Sequence, residues 1–164
     1  MTSTELRRRA SESANWSRER RLRYGGFPLR DAIGTILEQY KTLVLVGLSS
    51  KPSRPSCGVA AYLQSRGYRV IPVNPNETSV LGERAYASLE DVPETLDVVV
   101  IFRRRQHVPA IVESAIRRRA RVIWMQEGVT HDKAAARARS AGLEVFQDRC
   151  ILKEHAKRFL SEGI

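Results

Sequence analysis

Thr42-Leu43-Val44-Leu45-Val46 is an almost unbroken apolar run that ends in Gly47. Such a run fits a strand covered on both faces, as in a parallel sheet, better than a strand with one face in water. The stretch behind it, Leu48-Ser49-Ser50-Lys51-Pro52-Ser53-Arg54-Pro55-Ser56, lacks acids and is rich in hydroxyls and positive charge. Residues 58–66 then read as a helix, and Tyr68-Arg69-Val70-Ile71-Pro72-Val73 as a second strand. A helix that opens behind such a loop offers unpaired N–H groups and a positive dipole end to an anion. The segment 41–75 therefore predicts a strand–loop–helix–strand unit suited to a phosphate-bearing ligand.

The same alternation continues to the end of the chain. Leu29, Ile33, Ile36, Leu37 and Tyr40 recur at helical spacing, so residues 28–39 predict an amphipathic helix leading into the first strand. Pro72 marks the second strand as an edge strand or one that ends irregularly. Asn74-Pro75-Asn76 reads as a turn, and Leu81-Gly82-Glu83 with Ala85-Tyr86 as an irregular connection. Ser88 and Asp91 make an imperfect capping box on a short helix that Pro93 ends. Strands are expected at 97–102, 121–126 and 143–146, and helices at 107–118, 131–141 and 152–160, with Gly142 closing the second of these. Strands separated by helices of this length imply an α/β fold: a Rossmann-like, doubly wound, mainly parallel five-stranded sheet over residues 28–164.

Composition bounds the rest. No apolar run reaches the ~18 residues of a membrane span, and no apolar stretch follows the basic N-terminus, so neither a membrane partner nor a secretory signal is expected. Cys57 and Cys150 fit no metal or disulfide pattern, and the expectation is two reduced thiols in a cytoplasmic protein. Of the net charge of +10, half sits in residues 1–30, which hold eight arginines and three acids. Residues 1–27, with little apolar surface and a Gly25-Gly26 break, read as a basic arm. Such an arm suits nucleic-acid phosphates, or it is a solvated helix face.

In a parallel sheet the ligand lies beyond the carboxyl ends of the strands. The candidate residues follow those ends. Behind the first strand come Gly47, Ser49, Ser50, Lys51, Pro52 and Ser56, and behind the second Asn74 and Pro75. Phe102, Arg103 and Arg104 follow the third, and Met125, Gln126, Glu127 and Gly128 the fourth. Arginine forks grip phosphate oxygens bidentately, so the arginine pair is read as a phosphate anchor. The glycine pattern G-x-G-x-x-G, an acid at the end of the second strand and a Walker loop are all missing, which argues against a nicotinamide dinucleotide. His107, His131 and His155 read as surface or capping residues, with no metal partner at ligand spacing. Trp16 and Trp124 read as packing residues. Cys57, near a helix start, is a packed small residue or a thiol open to modification.

Taken together, Val46-Gly47-Leu48-Ser49, Val70-Ile71-Pro72-Val73-Asn74-Pro75, Leu81-Gly82-Glu83, Val100-Ile101-Phe102-Arg103-Arg104, Val122-Ile123-Trp124-Met125-Gln126-Glu127-Gly128 and Asp148-Arg149-Cys150 resemble the small bacterial CoA-binding proteins. These in turn are similar to the CoA-binding N-terminal domain of the succinyl-CoA synthetase alpha subunit. The resemblance covers about residues 29–160 and implies that the loops named above hold CoA or acyl-CoA. In the synthetase, a lysine stands two residues beyond the proline of the second loop. Glu77 stands here, and it would repel a phosphate it faced. The synthetase's phosphohistidine belongs to a second domain that this chain has no room for. The resemblance thus implies a CoA or acyl-CoA binding protein without catalysis of its own. Two alternatives stay open. One is a nucleic-acid-associated protein that uses the basic arm. The other is a subunit that completes an acyl-CoA enzyme with a partner chain, or a homo-oligomer. The arginine pair is assigned to the ribose 3′-phosphate or to the pyrophosphate, with a slight preference for the former.

Overall fold

A computed structural model describes residues 32–160. The elements are α1 (Ala32–Gln39), β1 (Thr42–Val46), α2 (Pro55–Ser65), β2 (Arg69–Val73), β3 (Ser79–Val80), β4 (Glu83–Arg84), a 3₁₀ turn at Leu89–Asp91, and β5 (Val98–Ile101). A second 3₁₀ turn at Arg105–His107 leads into α3 (Val108–Arg117), followed by β6 (Val122–Met125), α4 (Asp132–Ser140), β7 (Glu144–Phe146) and α5 (Ile151–Phe159). Two compact units divide the chain, residues 1–35 and 36–164. Of the first, residues 32–35 are described and open α1. The basic arm expected over 1–27, Trp16 within it, and the start of the helix expected from residue 28 lie outside the described residues.

The five main strands are all parallel, in the order β2-β1-β5-β6-β7. This is the expected doubly wound α/β sheet. The chain runs from β1 outward to β2, then crosses back to place β5 on the other side of β1. The order therefore reverses between β1 and β5, and a crevice opens there at the carboxyl ends. Alternate residues serve the two faces. Val44, Val46, Ile71, Val73, Val99, Ile101, Ile123 and Met125 share one cluster with Val108, Val112 and Ala115 of α3 and Ala134, Ala135 and Ala138 of α4. Leu43, Leu45, Val70, Val100 and Trp124 are buried as well, outside that cluster. Burial on both faces is what the apolar runs require. As its proline implies, β2 lies at an edge, and Tyr86 covers that edge by donating its N–H to Pro72 O.

Gly47 sits at the reversal with a φ of +89°. Its N–H donates to Val73 O, and the Phe102 N–H donates to Val46 O, both at 2.8 Å. A Cβ at residue 47 would stand 2.6 Å from Phe102 O and 2.9 Å from Arg103 Cδ. No side chain fits there, because the nearer neighbour is Phe102 backbone, held in place by its bond to Val46 O.

Three local expectations are corrected. The helix expected from residue 58 begins at Pro55, whose fixed φ suits the first helical position. The connection at 79–84 is a two-stranded hairpin, with Leu81 (φ 51°) and Gly82 (φ 81°) both left-handed at its tip. A leucine in that conformation gives no turn signal, which is why the hairpin is hidden in the sequence. Finally, His155 is neither a surface nor a capping residue. It is 5% exposed and packs edge-on against the rings of Tyr62 and Tyr68, with Phe159 tilted beside it. Tyr62 Oη lies 2.8 Å from its Nδ1. The other two histidines differ: His131 caps α4 by accepting from the Ala134 N–H, and His107 is exposed.

Two measurements test this account. Gly47→Ala places a side chain at positive φ against a backbone carbonyl, so it is expected to cost about 1–3 kcal/mol in urea unfolding. A neutral outcome would mean that the β1–β5 junction yields easily. Burial, then Arg66 and Lys41, pushes His155 below its ordinary pKa. The unfolded chain therefore binds its proton more readily than the folded one. The stability held by neutral His155 is present above about pH 6.5 and is lost as pH falls. His155→Phe should lose less stability than the wild type between about pH 7.5 and about pH 5.5. Equal losses would assign the acid sensitivity to other groups.

Candidate functional site

The crevice at the strand ends is a cleft of about 1020 Å³. Loops behind all five main strands reach it, including the one behind β7 that sequence reasoning left out. Of the candidate residues, Gly47, Ser49, Lys51 and Ser56 line it from the first loop, Asn74 from the second, and Phe102, Arg103 and Arg104 from the third. Gln126, Glu127 and Gly128 line it from the fourth. Four candidates do not line it. Pro52 and Pro75 are exposed on turns, and Ser50 faces Glu77 instead. The Met125 side chain is fully buried in the core, where strand alternation must put it. Lining residues missed from sequence include Arg54, Val59, Asn76, His107, Val129 and Cys150.

Each loop is fixed by its own polar side chains. Asn74 donates from Nδ2 to Leu48 O and accepts from the Asn76 N–H, so it ties the second loop to the first. Ser56, itself buried, accepts from the Ser49 N–H and holds the first loop against the opening turn of α2. Pro55 has no N–H, and the Cys57 N–H donates to Arg54 O. The first turn of α2 thus keeps one donor uncommitted among the described residues, that of Ser56, together with the dipole. Cys57 is buried, with its Sγ 4.0 Å from Ser50 O, as a packed small residue. Cys150 is half-buried and lines the cleft.

The fourth and fifth loops are zipped together. The Gly128 N–H donates to Asp148 Oδ1 at 2.7 Å, and the His131 N–H to Gln147 Oε1 at 2.7 Å. Trp124 Nε1 donates to Arg149 O, the packing role expected of that ring. Gln126 is 6% exposed, and its Oε1 accepts from the Ile151 N–H at the start of α5. With that oxygen spent, its amide nitrogen is the end left for a ligand. Lys153 grips both oxygens of Glu127 at 2.9 Å, and this bond raises the lysine's pKa.

Elsewhere in the domain several arginines are paired with acids, Arg69 with Glu94, Arg117 with Glu90, Arg137 with Glu113 and Arg158 with Glu154, while Arg118 and Arg139 turn to backbone carbonyls and Arg66 and Arg84 to tyrosine rings. The Lys51, Arg54, Arg103 and Arg104 side chains of the cleft make no hydrogen bond or ion pair with any described residue. Glu77 is the counterweight. Its Oε1 accepts from both the N–H and the hydroxyl of Ser50 at 3.0 Å, and the backbone bond first, then the hydroxyl, lowers its pKa. Among the described residues no group of three or more His, Cys, Asp or Glu could hold a metal ion. None of the described helices is long and apolar enough to cross a membrane.

Comparison with known proteins agrees with this architecture. Residues 41–156 match the family model described as CoA binding domain. The uncharacterized protein YneT of Bacillus subtilis is 36% identical over 129 residues, 79% of this chain and 96% of that protein. A hypothetical protein from Pyrococcus horikoshii superposes with a TM-score of 0.76 at 38% identity, over 77% of this chain and 89% of that one. An ADP-forming acetate–CoA ligase of Archaeoglobus fulgidus is 27% identical over 74 residues, 44% of this chain but 11% of the ligase. The family match and the likeness to YneT settle the assignment: the chain belongs to the CoA-binding domain family.

Proposed function

We propose that this protein binds CoA or acyl-CoA in the cleft at the strand ends and performs no chemistry of its own there. The observation that carries the reading is the set of four cations, Lys51, Arg54, Arg103 and Arg104, uncommitted to any described residue around a reversal of strand order. Several arginines elsewhere in the domain pair with acids, whereas these four cations converge on one cleft, and a ligand with several phosphates is the partner that suits them. The glycine at the reversal supports the same reading, because its missing side chain lets the third loop, with Arg103, close directly over the end of β1. We assign Arg103 and Arg104 to the pyrophosphate. The sequence leaned towards the ribose 3′-phosphate, but Arg103 stands in the middle of the sheet, beside Gly47, where a dinucleotide fold holds its diphosphate. The adenosine then lies towards β2 and the thiol arm towards β6 and β7. We place the protein in the cytoplasm on its two free thiols.

The ligase similarity supports a second reading, a CoA-holding subunit that works with a partner chain, since the matching segment is a small part of that enzyme. The cleft cations favour the small-molecule reading over a nucleic-acid one, which needs a continuous basic face.

CoA at a hundred times its dissociation constant should add about 2.7 kcal/mol and raise the melting temperature by roughly 5–10 °C, while NAD should not. Absence of any shift at millimolar CoA would sink the reading. Replacing Arg103 and Arg104 together by alanine should weaken CoA by about tenfold to several hundredfold, at ~1.5–3 kcal/mol per charge-assisted bond. CoA and dephospho-CoA should weaken alike if the pair holds the pyrophosphate. Selective loss of CoA would return the pair to the 3′-phosphate, and no loss of either would make both arginines solvated surface.

A further inference from the structure

Gln126 lines the cleft, yet its side chain is almost entirely buried. Its main chain is spent: the N–H donates to Ile101 O, and the carbonyl accepts from the Val129 N–H. Oε1 accepts from the Ile151 N–H at 3.1 Å, and this bond orients the amide, because a backbone N–H needs an oxygen. Nε2 then carries two N–H donors, and neither has an acceptor among the described residues. A donor this deep is costly to leave unpaired, so its acceptor comes from outside the chain.

The surroundings give that acceptor its character. Lys153 holds both oxygens of Glu127, Asp148 takes the Gly128 N–H, and Val129 lines the cleft beside them. A neutral donor beside apolar surface suits a neutral carbonyl better than a phosphate. Its place selects the carbonyl. Ile101 pairs with Met125, so Gln126 follows β6 alongside Phe102, one strand spacing of ~4.8 Å from the third loop and Arg103. Measured from a diphosphate on Arg103, at ~3.5 Å per three bonds of extended chain, the first amide carbonyl of pantetheine lies ~6 Å along the arm and the thiol ~15 Å.

We propose that Gln126 reads the pantetheine arm of CoA, with Nε2 donating to the first amide carbonyl. The inference rests on the CoA reading of the site and on the diphosphate at Arg103. It names the residue that separates CoA and its thioesters from nucleotides without the arm. The Ile151 N–H at the start of α5 positions the group: it holds the oxygen, so the nitrogen stays aimed in the empty site and little side-chain freedom is lost on binding.

Isothermal titration into the full chain compares CoA, acetyl-CoA and adenosine 3′-phosphate 5′-diphosphate, which is CoA without its arm. Gln126→Glu keeps an acceptor for Ile151 and replaces the donor with a second acceptor. It should cut the ratio of CoA affinity to armless-nucleotide affinity about tenfold or more, with acetyl-CoA losing as much as CoA. The ratio cancels the repulsion between the new charge and the phosphates, which the ligands share. The wild type gives a second readout that stands whether or not the variant folds. In its proton–nitrogen NMR spectrum the Gln126 side-chain amide should shift with CoA and barely move with the armless nucleotide. An unchanged ratio, or an amide signal that moves equally with both, would leave Gln126 as a brace for α5 and overturn the inference while the CoA reading stands. A larger loss for acetyl-CoA than for CoA would put the carbonyl at the thioester and overturn it too. If none of the three ligands binds at millimolar concentration, the CoA reading itself fails and takes the inference with it.

Discussion

Everything at the site depends on how closely β1 and β5 approach at the reversal of strand order. Gly47 bridges the ends of three strands: its N–H reaches Val73 O of β2, and its Cα faces the Phe102 carbonyl behind β5. A side chain at residue 47 would push these apart and lift Arg103 with them. The glycine therefore does two things with one missing methylene. It completes the sheet's pairing at its carboxyl edge, and it lets the Phe102 carbonyl and Arg103 close in on the end of β1. The cost is conformational entropy in the unfolded chain, which the buried apolar strands on either side must offset.

Further along the same edge, polar side chains replace backbone pairing. Parallel strands end in loops that cannot pair with each other as a hairpin does, so their donors need other partners. Asp148, Gln147 and Gln126 supply acceptors to Gly128, His131 and Ile151 across the fourth and fifth loops. Residues with the look of binding groups in the sequence thus have a structural duty first. Gln126 shows how both roles combine, since fixing its oxygen on α5 fixes where its nitrogen points. Asp148, at a φ of +54°, tolerates a left-handed backbone that most residues avoid, and its carboxylate is committed locally.

The sheet was legible because apolar runs bounded by glycine, proline and charge leave few alternatives. Every expected strand is present, shortened by a residue or two at its ends, and Pro72 marks an edge as its chemistry demands. What sequence could not reveal is pairing over distance. The bond between Glu77 and Ser50 spans 27 residues, and the Tyr62–His155 contact spans 93. No local pattern encodes either. Met125 failed as a candidate for the opposite reason: its neighbours Gln126 and Glu127 reach the loop, but period-two alternation turns residue 125 into the core.

The charge pattern of the cleft carries a thermodynamic consequence for the fold. Cations that outnumber the acids along one cleft repel one another, and that repulsion opposes the compact state. The arginines paired with Glu90, Glu94 and Glu113 show that acids were at hand elsewhere in the domain. Glu77 relieves only one end. A cleft with this imbalance is stabilised by whichever anion restores it, and such an anion binds the folded chain alone, because the unfolded chain holds no such convergence. Ligand affinity and folding stability then become two readings of one electrostatic term, linked by mass action.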